Sequence, residues 1–344
     1  MRIVSGDAGG IGPSSARTAL SVLSGFYLAG LKARQAAYGA GLMRRQKVNA
    51  WVLSIGNITA GGTGKTPAAI YYARKFLGEG RSVVVLSRGY GRDAPAAGPL
   101  AVSDREKVLL SPRECGDEPY LIARKVPGVP VVVCAKRVKG AELAMERFGA
   151  EVIVLDDAFQ HAAIARDEDI VVIDCANPFG FGRVLPRGLL REPLSALGRA
   201  TRFLLTRADE CEHEHIIEKL KELNPAAEIL RSRHRPVGLT ALSGEGKEAC
   251  DWVSGKKVLA VSGIGNPKAF ENTLKRLGAR LVHALRFEDH RWYDAADIAA
   301  IESAAKRFGA EHIVSTEKDG VRLALAPEAP KDTLLLEIEL ELMD

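Results

Sequence analysis

The sequence has few cysteines and no long apolar run, and these absences exclude several classes of protein. The cysteines lie far apart and form no Cys-x-x-Cys pair: Cys115, Cys134, Cys175, Cys211 and Cys250. This pattern argues against a disulfide framework or a zinc site and is typical of a reducing cytosol. No run of about 18 apolar residues is present, so no transmembrane helix is predicted. The net charge of +5 is too small to predict nucleic-acid binding by itself.

Acidic residues are also missing from residues 15–46, although this segment carries several basic ones. Apolar residues recur there at helical spacing, as at Leu20, Leu23, Tyr27 and Leu31. A basic amphipathic helix with aromatic residues is typical of a segment that lies on an anionic membrane. The same stripe also fits a helix packed on a domain core with solvated basic side chains. The pattern alone leaves both interpretations open.

A glycine-rich segment carries the strongest functional motif, Ile55-Gly-Asn-Ile-Thr-Ala-Gly-Gly-Thr-Gly-Lys-Thr-Pro67. It lies between a predicted strand and a predicted helix, the context of a phosphate-binding loop. In such loops backbone N–H groups bind oxyanions, the lysine (Lys65) reaches the β- and γ-phosphates, and the hydroxyl after it (Thr66) holds Mg²⁺. The general pattern has glycine where this sequence has Thr59. The predicted nucleotide-binding residues are Thr59, Ala60, Gly61, Gly62, Thr63, Gly64, Lys65 and Thr66.

From Trp51 onward, near-continuous Val/Ile/Leu runs alternate with helical segments, which predicts a parallel sheet covered on both faces. The segments 228–239 and 333–342 read as extended chain that could pair as a ribbon around a smaller α/β unit. We therefore predict a P-loop NTPase-like, doubly wound, mostly parallel α/β fold with a second, smaller α/β domain joined by a two-stranded β linker. The predicted segments are a loose N-terminus (1–14), the amphipathic helix region (15–46), the P-loop domain (47–230), the linker (231–250 and 333–344) and the smaller domain (251–332).

Carboxylates at two places are candidates for phosphoryl-transfer chemistry. Asp156 and Asp157 end a predicted strand, where a carboxylate can hold Mg²⁺ directly or through water. Asp117 and Glu118 precede a predicted helix. A carboxylate beside a γ-phosphate can accept the proton of an attacking hydroxyl, but by itself Asp117 fits a helix cap better.

A histidine and three arginines are further candidates. His290 follows Glu288 and Asp289 in the smaller domain, and an isolated histidine is usually structural. Arg183, Arg187 and Arg191 lie in a loop rich in glycine and proline. Such arginines can bind phosphate through the guanidinium fork, or they can simply keep the loop soluble.

A different activity is indicated by Leu204-Leu-Thr-Arg-Ala-Asp209, which resembles the guanine-reading motif of P-loop GTPases with Arg207 in place of lysine. It keeps a P-loop GTPase or ATPase of the metallochaperone type as an alternative. Against it, the segment Asp156-Asp-Ala-Phe159 is not an Asp-x-x-Gly motif, and no His/Cys-rich metal segment is present. A nucleotide-gated membrane adaptor without enzymatic turnover is a third possibility.

Taken together, the motifs resemble the tetraacyldisaccharide 4′-kinases (lipid A 4′-kinases) of Gram-negative bacteria, over nearly the whole chain from about residue 20. Thr59 is usual in that family, whereas Ala158 stands where the family commonly has glycine. The resemblance is carried by the order and spacing of the segments 54–67, Leu86-Ser-Arg-Gly-Tyr-Gly91, Gly116-Asp-Glu-Pro119, Leu155-Asp-Asp-Ala-Phe-Gln160, Leu185-Pro-Arg-Gly-Leu-Leu-Arg-Glu-Pro193, Gly263-Ile-Gly-Asn-Pro267, Phe287-Glu-Asp-His290 and Thr316-Glu-Lys-Asp319.

The resemblance implies transfer of the γ-phosphate of ATP to the 4′-hydroxyl of a tetraacyldisaccharide 1-phosphate, which forms lipid IVA in lipid A biosynthesis. It implies Asp117 as the general base and His290 as its orienting or proton-sharing partner, which requires the second lobe to close over the first. It further implies that Lys65 and Arg191 are catalytic, with Arg187 and Arg88 as additional candidates for phosphate binding. The implied Mg²⁺ ligands are Thr66, Asp156, Asp157 and Glu118.

The resemblance also predicts cofactors, partners and location. ATP and Mg²⁺ are the expected cofactors, and a lipid A disaccharide precursor is the expected partner. The helix region 15–46 is expected to hold the protein peripherally on the cytoplasmic face of the bacterial inner membrane. Neither nucleic acid nor a protein partner is expected to be needed.

Overall fold

The computed structural model describes residues 11–93 and 98–343, with side chains from residue 14 onward. The described chain divides into two compact units. The first contains the described parts of Met1–Arg88, Cys134–Arg233 and Leu342–Asp344. The second contains those of Gly89–Val133 and His234–Glu341.

Strands and helices alternate along most of the described chain. The strands are β1 (Trp51–Asn57), β2 (Val83–Ser87), β3 (Leu100–Ser103), β4 (Val131–Val133), β5 (Val152–Asp156), β6 (Glu168–Asp174), β7 (Arg202–Thr206), β8 (Glu228–Ala241), β9 (Lys247–Glu248), β10 (Lys257–Ser262), β11 (Arg280–Arg286), β12 (His312–Thr316) and β13 (Leu334–Met343). The α-helices are α1 (Ile11–Gly39), α2 (Lys65–Gly78), α3 (Pro112–Cys115), α4 (Asp117–Lys125), α5 (Arg137–Phe148), α6 (Glu214–Leu223), α7 (Pro267–Arg276), α8 (Ala295–Phe308) and α9 (Glu317–Leu323).

The first unit is built on a parallel sheet with the order β8-β7-β6-β1-β5-β2. Every residue of β2 and β5 is buried, as expected for apolar strands covered on both faces. The carboxyl ends of these strands meet at one edge of the sheet. Because β1 lies between β5 and β6, the loop after β1 is at a topological switch point, where α/β folds bind ligands.

The second unit contains a parallel sheet with the order β11-β10-β12-β13. Side chains alternate across β10: Val258 and Ala260 join the apolar cluster of α7, whereas Leu259 and Val261 join that of α8. Strand β13 is a neighbour of β8, which matches the pairing expected for the two extended segments. The antiparallel pair β3–β4 also belongs to this unit. The predicted α/β fold with a mostly parallel sheet is therefore confirmed.

The N-terminal helix differs from its predicted bounds. It begins at Ile11, so that residues 11–14, which were expected to be loose, are helical, while residues 1–10 lie outside the described range. The helix ends at Gly39, and Gly41 has a φ of 74°, a left-handed conformation that glycine adopts at low cost. Among the described residues, no helix is long and apolar enough to cross a membrane.

The segment 89–133 groups with the second unit, whereas the sequence places it in the P-loop domain at 47–230. Ion pairs connect α4 to α9 within this unit: Lys125 lies 2.7 Å from Glu317, and Lys318 lies 2.9 Å from Glu118. Asp117 and His290 therefore belong to one compact unit, and no closure of two lobes is needed to bring them together.

The cysteine spacing argues against a disulfide framework, and the structure differs from this expectation at two cysteines. Cys175 and Cys211 form a disulfide although they are 36 residues apart in sequence. Cys175 follows β6 and Cys211 lies shortly after β7, and these neighbouring parallel strands end at the same edge. With His213 the pair forms a group of metal-type ligands, but both sulfurs are used in the bond.

Candidate functional site

The glycine-rich loop lies in the strand–loop–helix context that the motif requires, between β1 and α2. Gly61 has a φ of 115° and Gly64 a φ of 95°, which side chains rarely tolerate. Gly64 caps α2, and the helix begins at Lys65. The N-terminus of α2 therefore faces the loop, an arrangement that favours anions.

Buried hydrogen bonds hold this loop in shape. The side-chain amide of Asn57 donates to the carbonyl oxygen of Thr59 at 2.6 Å and to the hydroxyl oxygen of Thr63 at 2.9 Å. The Thr206 hydroxyl donates to the carbonyl oxygen of Thr63 at 2.8 Å. Strands β1 and β7 thus fix the backbone that a phosphate would contact, which is the preorganisation that binding sites need.

Arg207 also supports the loop, which changes the interpretation of the guanine-like motif. Its guanidinium is buried, donates from Nε to Asp174 at 3.1 Å and reaches the carbonyl oxygen of Gly62 at 3.4 Å. The side chain is therefore used inside the protein, between β6 and the phosphate loop. This placement gives Arg207 a structural role.

Asp157 joins two of the predicted cations. Nη1 of Arg191 lies 2.9 Å from one carboxylate oxygen of Asp157 and 3.0 Å from the other, and Nζ of Lys65 lies 3.8 Å away. Burial raises the pKa of Asp157, but Lys65 and Arg191 outweigh it and hold that pKa below its usual value. Asp157 is therefore ionised at neutral pH.

Asp156, at the end of β5, is buried and accepts a hydrogen bond from the Ser87 hydroxyl at 3.1 Å. Arg137 lies behind it, donating to the carbonyl oxygen of Asp156 at 3.4 Å. Burial lowers the pKa of Arg137 to about 10, which still leaves it charged at neutral pH. Thr66, Asp156 and Asp157 offer oxygen atoms, the ligand type that Mg²⁺ prefers.

The loop that carries Arg191 is held from two sides. The backbone N–H of Arg191 donates to the carbonyl oxygen of Ile58 at 2.7 Å, which ties it to the residues before the phosphate loop. From the other side, the Tyr27 hydroxyl of α1 donates to the carbonyl oxygen of Arg191 at 2.8 Å. Ser24 of α1 donates to the carbonyl oxygen of Val184 at 3.0 Å. Helix α1 therefore contacts the loop that positions an arginine of the site.

In the second unit, Asp117 and His290 are in direct contact. Nδ1 of His290 lies 3.1 Å from both carboxylate oxygens of Asp117. The turn before α4 needs Gly116, which has a φ of 98° and where an added Cβ would lie 2.4 Å from the carbonyl oxygen of Tyr90. This close approach brings Tyr90 to the histidine, with its ring edge-on to His290 at a centroid distance of 5.2 Å.

Two cations also lie beside Asp117. The fully buried Arg322 places Nε 3.4 Å from Asp117 and Nη2 2.6 Å from Asp319. Burial raises the pKa of Asp117, but the hydrogen bond and charge interaction with His290 and the charges of Lys318 and Arg322 outweigh it, so the pKa is lowered. A carboxylate in this surrounding is buried but ionised.

The structure brings the predicted site residues together in two groups. Lys65, Asp157 and Arg191 meet in the first unit, and Asp117 and His290 meet in the second. Glu118 lies in the second group as the partner of Lys318, and its role as an Mg²⁺ ligand stays a prediction. Sequence reasoning missed the buried arginines and the lysine that contact these groups: Arg137, Arg322 and Lys318.

Comparison with known proteins gives one consistent result. A family model described as "LpxK: Tetraacyldisaccharide-1-P 4'-kinase" matches residues 16–344. The chain is 41% identical over 317 residues to a tetraacyldisaccharide 4'-kinase of Halothermothrix orenii, which covers 89% of this chain and 82% of that protein. It is 43% identical over 330 residues to one of Anaeromyxobacter sp. (strain Fw109-5), which covers 94% of this chain and 87% of that protein.

A solved structure agrees with these sequence relatives. The crystal structure of LpxK from Aquifex aeolicus in complex with ATP superposes with a TM-score of 0.74 at 31% sequence identity. The match covers 95% of this chain and 95% of that one.

Proposed function

The chain belongs to the tetraacyldisaccharide-1-phosphate 4′-kinase family, and from this we propose that it transfers the γ-phosphate of ATP to the 4′-hydroxyl of a tetraacylated disaccharide 1-phosphate. The observation that carries the proposal is the Asp117–His290 contact of 3.1 Å. Transfer to a sugar hydroxyl requires a group that takes its proton. A GTPase or ATPase of the metallochaperone type transfers the phosphate to water and needs no binding site for an alcohol substrate. The family assignment leaves the metallochaperone-type alternative without support.

We place the nucleotide phosphates at the loop from Thr59 to Thr66. The left-handed Gly61 and Gly64 let the backbone approach phosphate oxygens closely. Lys65 opens α2 beside Asp157, where its ammonium can neutralise charge on the γ-phosphate as the bond breaks. Arg191, held by the same carboxylate, can contribute a second cation. The relative from Aquifex aeolicus was solved in complex with ATP, which supports ATP as the nucleotide.

Thr66, Asp156 and Asp157 would hold Mg²⁺. The donor set fits, because all three offer oxygen atoms and the charges of Lys65 and Arg191 keep Asp157 ionised. When bound, Mg²⁺ neutralises negative charge on the phosphate oxygens. The protein's own contribution is to fix these carboxylates, Asp156 through Ser87 and Asp157 through Arg191.

Asp117 would take the proton of the 4′-hydroxyl while the new oxygen–phosphorus bond forms. His290 holds the Asp117 carboxylate by a hydrogen bond, and Arg322 contacts the same group from the protein interior. The hydroxyl must be in line with the γ-phosphate for transfer, so substrate positioning is a large part of the rate. Neutralisation of the transferred phosphate by Lys65, Arg191 and the loop amides is the other part.

Helix α1 would hold the protein on the membrane that contains the lipid substrate, the cytoplasmic face of the inner membrane. Three apolar side chains of α1 are largely exposed, with relative exposures of 57% at Val22, 54% at Leu23 and 74% at Phe26. Ser24 and Tyr27 contact the protein instead. An exposed apolar stripe on a helix with basic neighbours is typical of interfacial binding.

The test is phosphoryl transfer by the purified chain in mixed micelles that contain tetraacyldisaccharide 1-phosphate. ATP with Mg²⁺ should give a phosphorylated lipid, detected by mass spectrometry, and little phosphate release without the lipid. Lys65→Met should lower product formation by at least about 10²-fold. Preferential hydrolysis of GTP, with no lipid product from ATP, would instead support the metallochaperone-type GTPase alternative.

A further inference from the structure

Two cysteines and a histidine meet beside the strands that hold the phosphate loop, and none of the roles above uses them. Cys175 follows β6, Cys211 lies shortly after β7, and His213 precedes α6. One ligand atom from each residue, the two sulfurs and a ring nitrogen, lie within 4.8 Å of one another. The ligands come from two neighbouring strands, so the sequence contains no short metal-binding motif that would predict the group.

The three side chains are of the types that bind zinc. Thiolate sulfur and imidazole nitrogen are usual ligands of Zn²⁺, which is tetrahedral in most protein sites. With bonds of about 2.3 Å to sulfur and about 2.0 Å to nitrogen, a tetrahedral ion places its ligand atoms roughly 3.6–3.8 Å apart, inside the 4.8 Å that the group spans. Once the bond between the sulfurs is reduced, a small rotation of the cysteine side chains separates them to this distance.

The surroundings also suit a metal site. Cys175 is buried in the apolar cluster that contains Ile173 and Ala208, and Cys211 packs against the same cluster. Nδ1 of His213 lies 3.2 Å from the carbonyl oxygen of Cys211, and a backbone carbonyl of this kind commonly fixes the ring of a metal-binding histidine. Cys211 and His213 are only partly buried, so an ion can reach the group from solvent.

We propose that Cys175, Cys211 and His213 form a zinc site when the disulfide is reduced, with water as the fourth ligand. The disulfide and the metal site are alternative states of the same two sulfurs. Reduction by a dithiol transfers two electrons and two protons to the disulfide and gives two thiols, while the dithiol is oxidised to a disulfide. Zn²⁺ then binds both sulfurs and the histidine nitrogen, and it displaces one proton from each thiol.

The zinc site would lie next to the contacts that support the phosphate loop. The N–H of Cys175 donates to the carbonyl oxygen of Thr206 at 3.2 Å, and the Thr206 hydroxyl donates to the carbonyl oxygen of Thr63 in the loop. Asp174, the residue before Cys175, accepts a hydrogen bond from Arg207. Either the disulfide or the metal therefore joins the ends of β6 and β7 where both strands hold this loop. Zinc would replace the cross-link that reduction removes.

The direct test is zinc binding by the full chain in its two redox states. The chain is reduced with a dithiol, the reductant is removed in the absence of oxygen, and Zn²⁺ is titrated in competition with a fluorescent chelator. The reduced chain should bind one Zn²⁺ with a Kd below about 1 µM, whereas the disulfide form should not bind at that affinity. Equal binding by both forms, or no binding by the reduced chain, would overturn the proposal.

Matched variants identify the ligands. Cys211→Ser and His213→Ala should each weaken zinc binding by at least about 100-fold. Cys250→Ser and His215→Ala change the same residue types outside the group and should bind zinc as tightly as the wild-type chain. Co²⁺ used in place of Zn²⁺ should give thiolate-to-cobalt absorption in the wild-type chain, and Cys211→Ser should lose much of it. Wild-type zinc affinity in Cys211→Ser and His213→Ala would overturn the assignment.

Thermal unfolding provides an independent readout. Zn²⁺ should raise the Tm of the reduced wild-type chain and of His215→Ala, because it binds only the folded group. It should not raise the Tm of His213→Ala, and an equal rise in that variant would contradict the site. Within the described chain, the His213 side chain makes no capping hydrogen bond to α6, so His213→Ala should fold. These measurements do not depend on lipid phosphorylation, so failure of the proposed function and failure of the zinc site are separate results.

Discussion

Replacement of Asp117 by asparagine removes the proposed base and preserves the shape of its side chain. Asp117 is 2% exposed, so water cannot easily take its place. The neutral amide cannot accept the proton of the sugar hydroxyl. A positioned general base contributes about 10²- to 10⁴-fold to the rate. We therefore expect kcat to fall by about 10³-fold, which corresponds to about 4 kcal/mol in the activation free energy.

The variant should still fold, because the neighbouring cations keep other partners. Arg322 remains 2.6 Å from Asp319, and Lys318 remains 2.9 Å from Glu118. Neither becomes a buried charge without a partner, so the loss of unfolding free energy should stay below the roughly 3–5 kcal/mol seen when a buried pair is broken. ATP affinity should not change, since the predicted nucleotide residues are elsewhere.

The assay is lipid phosphorylation in mixed micelles, with ATP affinity measured separately by calorimetry. Asp289→Asn is the matched control. Its carboxylate lies 3.9 Å from Nε2 of His290 but is 35% exposed, and solvent screens such charges. We expect the control to lose less than about threefold in kcat. Wild-type turnover in Asp117→Asn, or an equal loss in both variants, would refute the assignment of the base.

Further predictions concern the nucleotide site and helix α1. Lys65→Met should lower kcat by at least about 10²-fold, because a fixed charge on the transferred phosphate is lost; near-normal transfer would contradict this role. Arg191→Lys keeps the charge but loses the contact with both oxygens of Asp157, and kcat should fall about tenfold. An unchanged kcat would contradict a catalytic role for Arg191. Tyr27→Phe removes the 2.8 Å hydrogen bond to the carbonyl oxygen of Arg191, and about 1 kcal/mol, or roughly fivefold in kcat/KM, should be lost even with a detergent-dispersed substrate; Tyr38→Phe serves as its control. Phe26→Asp should reduce sedimentation with anionic vesicles, whereas Gln35→Asp, the same charge at another exposed position of α1, should reduce it much less; equal binding by both variants would argue against the apolar stripe as the membrane contact.

The features predicted from sequence are those in which local pattern and function coincide. Gly61 and Gly64 have left-handed backbone, and Lys65 begins a helix. Residues adjacent in the sequence are therefore enough to predict the phosphate loop. Asp156 and Asp157 can be predicted for the same reason, because they are carboxylates at the end of an apolar strand. The parallel sheet follows from strands such as β2 and β5 that lack polar alternation.

The features that sequence reasoning missed depend on contacts between distant parts of the chain. Arg322 was not singled out by any sequence pattern, yet it is fully buried and contacts both Asp117 and Asp319. Lys318 is 200 residues from its partner Glu118. Cys175 and Cys211 meet only because their strands are neighbours. Local hydrophobic periodicity does not predict which distant residues the order of strands brings into contact.

Arg207 shows a different kind of error, in which a short motif has the wrong meaning. The segment Thr206-Arg207-Ala208-Asp209 resembles a guanine-reading motif, but Arg207 pairs with Asp174 and supports Gly62. In this protein, the motif contains a buried arginine that supports the phosphate loop. A four-residue pattern cannot distinguish an arginine that contacts a base from one that contacts a buried carboxylate.

The most direct test of the whole account is the position of the phosphate in the product. The chain should be supplied with ATP and tetraacyldisaccharide 1-phosphate in micelles, and the product examined by phosphorus–proton correlation NMR. The account predicts a second phosphomonoester on the 4′-oxygen, formed by the wild-type protein and almost absent with Asp117→Asn. A phosphate at another position, or release of phosphate to water without a lipid product, would contradict it.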